Sequence, residues 1–276
     1  MKQIILPPSY NYVGAFLTYR CNLSCPYCIN KQGELYKPPF EMDAEEWCEA
    51  FSRIQTRPDL PITLQGGEPT MHREFYKIVD SIWGKEFDLL TNGKFNVSEF
   101  MAYVDHKFFD RKAPYASIRF SYHNGLNDQY LTNSLQQLKN AGYNIGVWGL
   151  SHKDNSEMKA FCKGIDVDFR EKEYLDKTHG TYKYPEGLDG VAKECECKPS
   201  EMLIGPDGSI YRCHSDLYAG ENSYANIFDD EVILPTDFKT CNRFGLCNYC
   251  DLKVKTNRLQ IGGHCSVEIK YNPTQL

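Results

Sequence analysis

Tyr12-Val13-Gly14-Ala15-Phe16-Leu17-Thr18 runs directly into Tyr19-Arg20-Cys21-Asn22-Leu23-Ser24-Cys25-Pro26-Tyr27-Cys28. The first seven residues are aromatic, aliphatic or β-branched apart from Gly14, which suits a buried strand. The cysteines that follow have C-x3-C-x2-C spacing, so the strand delivers a thiol-bearing loop at its carboxyl end. The segments around this strand decide what sheet it belongs to.

Residues 61–64 read as a short strand stopping at Gly66-Gly67, and residues 87–90 as one stopping at Thr91-Asn92-Gly93. Residues 117–122, 144–150 and 167–170 continue the series. Between them, residues 43–54 have helical periodicity, with Met42, Trp47, Phe51 and Ile54 spaced for one face. Residues 73–83, 98–104, 131–141 (closed by Gly142) and 156–163 also read as helices. Strands alternating with helices predict βα units and a parallel sheet. Six strands are too few for a closed eight-stranded barrel. The expected fold is therefore α/β: a partial (β/α)6 barrel of parallel strands with a small cysteine-rich α+β extension at the C-terminus. The core is expected over residues 1–180 and the extension over 181–276, linked by a loop at 182–193. Ligands of parallel sheets bind at the carboxyl edge of the strands. Here that edge carries residues 21–28, 66–69, 91–93 and 121–123.

The chain has 276 residues, with 31 Lys and Arg against 37 Asp and Glu for a formal charge of −6. That balance argues against a nucleic-acid partner, which favours a basic face. No apolar run approaches the ~18–20 residues of a membrane span, and Met1 to Pro8 is too short for a signal peptide. A cytoplasmic protein without nucleic-acid or membrane partners is expected. Twelve cysteines are then anomalous, because a reducing compartment does not favour disulfides. Cys48 and Cys162 read as small buried hydrophobes on helices. The rest fall into two groups: Cys21, Cys25 and Cys28, and then Cys195, Cys197, Cys213, Cys241, Cys247, Cys250 and Cys265. Three closely spaced thiolates can cap three irons of a cubane and leave the fourth open. A structural zinc takes four ligands, and the first loop has no fourth.

Cys21, Cys25 and Cys28, with Tyr27 before the third, and Gly66-Gly67-Glu68-Pro69 one strand later, resemble the signature motifs of the radical S-adenosylmethionine (radical SAM) enzymes. The resemblance covers roughly residues 12–170. It implies a [4Fe–4S] cluster on Cys21, Cys25 and Cys28, whose open iron is chelated by the amino and carboxylate groups of S-adenosylmethionine. It implies reductive cleavage to methionine and a 5′-deoxyadenosyl radical that takes hydrogen from a substrate C–H bond. Gly66, Gly67, Glu68 and Pro69 would line the methionine end, Tyr27 the adenine, and Ser121 the ribose or carboxylate, with Asn92 a further contact. Glycines suit close backbone approach to a ligand, and Glu68 would add negative charge beside a cation. The family's Asp two residues after that serine is His123 here, and its role is open.

In the last third, Pro206-Asp207-Gly208 predicts a turn into a short strand ending at Cys213. Cys247-Asn248-Tyr249-Cys250 is a C-x2-C knuckle, and Gly262-Gly263-His264-Cys265 puts another thiol on a turn. This resembles the SPASM or twitch extensions that house auxiliary iron–sulfur clusters. Residues 208–213, with Cys195 and Cys197 upstream, match the SPASM opening; the later part departs. Ile261 stands at an expected cysteine, none follows Cys265, and Cys241 is added. Seven thiols are one short of two fully cysteine-ligated cubanes. The expectation is one auxiliary cluster on Cys195 or Cys197, Cys213 and two later cysteines, or two clusters if one iron is open or held by His214 or His264. A zinc knuckle shares the same spacing and stays open.

The implied reaction is net oxidation or bond formation on a peptide or protein side chain, with electron transfer through the auxiliary cluster. The electron donor would be a flavodoxin or ferredoxin. The alternatives are a dehydrogenase or epimerase of a sugar or polyol, and a non-catalytic iron–sulfur or zinc protein. The short segment before Cys21 predicts no fused leader-peptide-binding domain. Arg170, at the last strand, reads equally as a site residue or a structural ion pair.

Overall fold

The computed structural model describes residues 1–26, 28, 38–57, 59–82, 84–111, 115–172, 193–244 and 267–270. The chain runs β1 (Ile4–Ile5), β2 (Tyr12–Thr18), α1 (Ala44–Arg53), β3 (Ile54–Gln55), β4 (Ile62–Gly66) and α2 (Phe75–Ser81). It continues through β5 (Phe87–Thr91), α3 (Val97–Tyr103), β6 (Ile118–Tyr122), α4 (Asp128–Asn140), β7 (Ile145–Leu150), α5 (Ser156–Gly164) and β8 (Asp168–Lys172). Beyond these lie β9 (Lys193–Pro199), β10 (Glu201–Ile204), β11 (Ser209–Tyr211), α6 (His214–Ala219), β12 (Ala225–Asn226), β13 (Lys239–Phe244) and β14 (Val267–Lys270).

Strands β2, β4, β5, β6, β7 and β8 are parallel neighbours in chain order, as the alternating pattern predicts. With the five helices between them they form the open, partial barrel expected from the sequence. Helix α4 starts earlier than the periodicity suggests, because its first turn, Asp128-Gln129-Tyr130, carries no apolar repeat. Its end is legible: Gly142 adopts φ +87°, which only glycine enters without strain. Helix α1 opens with a capping box, in which the Glu46 N–H donates to Asp43 Oδ1 at 3.0 Å and the Asp43 N–H to Glu46 Oε2 at 2.8 Å.

Strand alternation separates two faces. Val13, Ala15 and Leu17 of β2, Ile62 and Leu64 of β4, Leu89 of β5 and Phe120 of β6 pack under the helices with Trp47, Phe51, Ile78, Phe100 and Leu135. Phe16 points the other way and packs with Leu203, Tyr211, Leu217 and Tyr218. Much of the remaining concave face is polar, which leaves room for chemistry there.

Past residue 192 the chain returns to the core sheet. Strand β10 pairs parallel to β2, and the hairpin to β11 then β12 extends the sheet, giving the order β12-β11-β10-β2-β4-β5-β6-β7-β8. The predicted turn at Pro206-Asp207-Gly208 is present, with Gly208 at φ +79°. The Arg53 guanidinium fastens this region from behind, donating to the carbonyls of Lys2, Asp229 and Ile227. Strands β13, β9 and β14 form a separate antiparallel sheet. The expected core–extension boundary and residues 182–192 of the expected loop at 182–193 lie outside the described residues, while Lys193, the loop's expected last residue, instead opens β9 by pairing with Phe244 of β13. Cys162 is fully buried as expected. Cys48 is not: it is half-buried, and its thiol donates to the Ser81 carbonyl at 3.7 Å, because its position on α1 faces the rim between α1 and α2. Among the described residues no helix is long and apolar enough to cross a membrane.

Candidate functional site

Gly66, at the end of β4, has φ +144°, and a Cβ there would overlap the Thr18 carbonyl. A Cβ at Gly67 would overlap the carbonyls of Tyr19 and Arg20. The Gly67 N–H donates to Thr18 O and the Glu68 N–H to Arg20 O, both at 2.8 Å. The two glycines therefore let this loop lie flush against the backbone that leads into Cys21. On the other side of that lead-in, the Thr18 hydroxyl bonds Glu41, and Arg20 Nη2 pairs with Glu41 Oε2 at 3.0 Å.

Glu68 is fully buried. Its Oε1 accepts from the hydroxyls of Thr70 (2.7 Å) and Thr91 (2.8 Å) and the Thr70 N–H (3.2 Å), and its Oε2 from the Asn92 N–H at 2.7 Å. Burial pushes its pKa up against the pull of those donors. The carboxylate thus locks the β4 loop to the β5 loop. Asn92, held this way, donates from Nδ2 to Asn22 Oδ1 at 2.9 Å and to Cys21 Sγ at 3.7 Å. Asn22 Nδ2 returns a bond to Lys94 O at 2.6 Å.

Cys25 is buried, and Cys21 and Cys28 are half-buried. The Leu23 N–H also points at Cys21 Sγ, at 3.4 Å, and the Cys28 N–H donates to Cys25 O at 3.1 Å. None of the described cysteines is in a disulfide. Among the described residues no three His, Cys, Asp or Glu side chains are grouped to hold a single ion. A cubane has a different requirement, one thiolate on each of three irons, and the donor chemistry of this loop suits it. Pro69 is buried and opens a short 3-10 turn, Pro69–Met71. Tyr27 lies outside the described residues.

Asn127 is a residue that sequence reasoning missed. It sits at the N-cap position of α4 but does not cap the helix. Its Nδ2 reaches back to Asn92 O (2.7 Å) and Ser121 O (2.9 Å), and its Oδ1 accepts from the His123 N–H at 2.9 Å. It thereby ties the ends of β5 and β6 together. An Asn before a helix is an ordinary cap signal in sequence, so nothing there announces this role. His123 is half-buried, and burial lowers its pKa to about 4, so the imidazole is neutral at pH 7.

Along the concave face, Ser121, Trp148 and Arg170 are consecutive register partners on β6, β7 and β8. Arg170 lies over the Trp148 ring at 5.6 Å and pairs with Asp168 at 2.6 Å, so the ion-pair reading of Arg170 holds. Deeper in, fully buried Asp88 binds Arg119 at 2.5 Å and Arg111 at 2.6 Å, with the Tyr115 ring against both guanidinium groups.

A second thiol group forms beside this face. Cys195 and Cys197 share one side of β9, and Cys241 of β13 is the register partner of Cys195. The Cys197 thiol has its pKa raised by a hydrogen bond with Cys241, then by burial, while Arg212 pulls it down and Cys213 adds a further upward push. Cys213 Sγ donates to Asp216 Oδ2 at 3.3 Å, and the next residue, His214, faces Glu201 at 3.5 Å. Cys247, Cys250, His264 and Cys265 lie outside the described residues.

Residues 16–147 match the family model of the Radical SAM superfamily. A PqqA peptide cyclase of Rhizobium meliloti (strain 1021) is 36% identical over 91 residues, which is 32% of this chain and 24% of that protein. The mycofactocin maturase MftC of Mycolicibacterium smegmatis is 30% identical over 64 residues, 23% of this chain and 16% of that protein. The matches thus span about a quarter or less of these relatives. Among solved structures, anSMEcpe with bound AdoMet superposes with TM-score 0.58 at 14% identity, covering 93% of this chain and 90% of that one. Streptococcus suis SuiB bound to precursor peptide SuiA gives 0.56 at 13% identity, covering 80% and 64%. At these identities the likeness is one of fold.

Proposed function

Because the chain belongs to the radical SAM superfamily through residues 16–147, with a [4Fe–4S] cluster and S-adenosylmethionine as cofactors, we propose that it is an enzyme that modifies a peptide or protein substrate at an unactivated C–H bond. The observation that carries this reading is the packing of the C-x3-C-x2-C loop against Gly66-Gly67 and Asn92 at the carboxyl ends of β2, β4 and β5. Cys21, Cys25 and Cys28 would hold the cluster, and the Asn92 side-chain amide and the Leu23 N–H point at the Cys21 sulfur. Gly66, Gly67 and Pro69 would border the methionine end, with Glu68 fixing their loop, and Ser121 would border the nucleoside. When bound, these cofactors supply a 5′-deoxyadenosyl radical that removes one hydrogen atom from the substrate. For a net oxidation or a new bond, an auxiliary cluster would serve as acceptor for the one further electron the substrate gives up, with the proton going to solvent. Cys197, Cys213 and Cys241, which lie together, would hold that cluster with a thiol from among Cys195, Cys247, Cys250 and Cys265. The electron donor would be a flavodoxin or ferredoxin in the cytoplasm. Peptide substrates are favoured by the names of the relatives: a peptide cyclase, a mycofactocin maturase and a precursor-peptide complex.

The test is anaerobic reconstitution with iron and sulfide, followed by S-adenosylmethionine and dithionite. Formation of 5′-deoxyadenosine is expected. The Cys21/Cys25/Cys28→Ala triple variant should lose one cubane of iron and all turnover; unchanged iron content would overturn the ligand assignment.

A further inference from the structure

Gln65 carries a buried hydrogen-bonding group with no partner. It is the residue of β4 before Gly66, it is the register partner of Phe16, and its neighbour Leu64 packs under the helices. Alternation therefore turns Gln65 to the concave face. The residue is only 9% exposed, and its Nε2 is buried with no hydrogen-bond partner among the described residues. An unmade buried donor is costly, and such groups are rare in native folds unless a ligand or solvent completes them.

The amide's position is also specific. A Cβ at Gly14 would overlap Gln65 Nε2, so the glycine keeps open the space the amide fills. Gly14 precedes Phe16 by two residues of β2, a rise of roughly 7 Å along a strand. The amide thus leans toward the amino ends of the strands, away from the thiol loop and from Gly66-Gly67. It lies on the floor of the concave face, beneath the level assigned to the cofactors. The charges nearby on that face are engaged with one another, Asp88 with Arg119 and Arg111.

We propose that Gln65 is a substrate-positioning residue whose carboxamide donates from Nε2 to a backbone carbonyl oxygen of the bound peptide. This rests on the peptide-modifying reading above. A neutral amide suits a peptide carbonyl because the pair forms without desolvating a charge. The same bond would fix the peptide's depth in the barrel, and so which side-chain carbon meets the adenosyl 5′ carbon.

The experiment uses reconstituted holoenzyme with S-adenosylmethionine bound and N-acetyl-triglycine amide as a side-chain-free peptide probe, titrated calorimetrically. The wild type should bind it saturably, and Gln65→Leu, of similar shape and without the amide, should bind at least tenfold more weakly. Gly14→Ala, which displaces the amide, should weaken the probe in the same way. The affinity of Gln65→Leu for S-adenosylmethionine should match the wild type, and its melting temperature should be equal or higher, since an unpaired donor has been removed. Equal probe affinity in wild type and Gln65→Leu, or no saturable binding to the wild type, overturns the proposal. So does weaker S-adenosylmethionine binding, which would make the amide a cofactor contact, or a lowered melting temperature, which would make it structural. Failure of the wild type to form 5′-deoxyadenosine in parallel would sink the radical SAM reading as well, and so is distinguishable from failure of the Gln65 assignment alone.

Discussion

The Glu68 carboxylate, the Asn92 backbone and the Asn127 side-chain amide form one chain of hydrogen bonds across the ends of β4, β5 and β6. Glu68 is legible in the sequence as part of Gly-Gly-Glu-Pro, and the expectation is charge offered to a cation. Its role as a fastener is not legible, because Thr91 and Asn92 come from the next strand and only the fold brings them to it. Glu68→Ala should cost about 3 kcal/mol, from donors left unpaired in a buried site, read as a lower urea midpoint with unchanged slope. His123 gives a pH signature. Its folded pKa is about 4, against 6.5 for an ordinary imidazole. The unfolded chain therefore takes up a proton first as pH falls, and stability present above pH 6.5 is lost on the way toward 4. Between pH 7 and 5 the wild type should lose about 1–2 kcal/mol more than His123→Gln, measured by urea unfolding of the metal-free protein.

Among the elements, the six strands of the core and the five helices between them are legible because each has its own periodicity. Trp47, Phe51 and Ile54 declare the buried face of α1 and its end before any tertiary contact is known. The glycines at the end of β4 are legible as a turn, but what they approach is not. The sequence suggests a ligand; the structure shows the carbonyls of Thr18, Tyr19 and Arg20. Gly66→Ala combines a disfavoured φ of +144° with a clash against Thr18 O. It should push the thiol loop outward, so that the variant retains at least one cubane less iron after anaerobic reconstitution while its far-ultraviolet circular dichroism stays that of the wild type. Full iron content would show that the loop tolerates the displacement.

For the molecule as a whole, the position of the C-terminal third is the new information. Sequence reading separates it as an extension, whereas β10 pairs with β2, the strand that leads to the thiol loop. Cys213, two residues beyond β11, is thereby carried to the flank of the concave face, close to Cys197 and Cys241. A Cys197/Cys213/Cys241→Ser triple variant should bind less iron than the wild type and still form 5′-deoxyadenosine from S-adenosylmethionine, because the Cys21 loop is built from other strands. Zinc in place of iron at these thiols, measured by metal analysis, would remove the electron-acceptor role.

The sequence by itself determined the order of strands and helices, the parallel sheet and the two thiol groups, because periodicity and ligand spacing are local properties that need no partner. The tertiary structure alone decided which polar groups satisfy one another: Glu68 with Thr91 and Asn92, Asn127 with Ser121, and Gln65 Nε2 with none among the described residues. Hydrogen bonding across strand ends depends on register and loop approach, and those are fixed only when the sheet closes around its core.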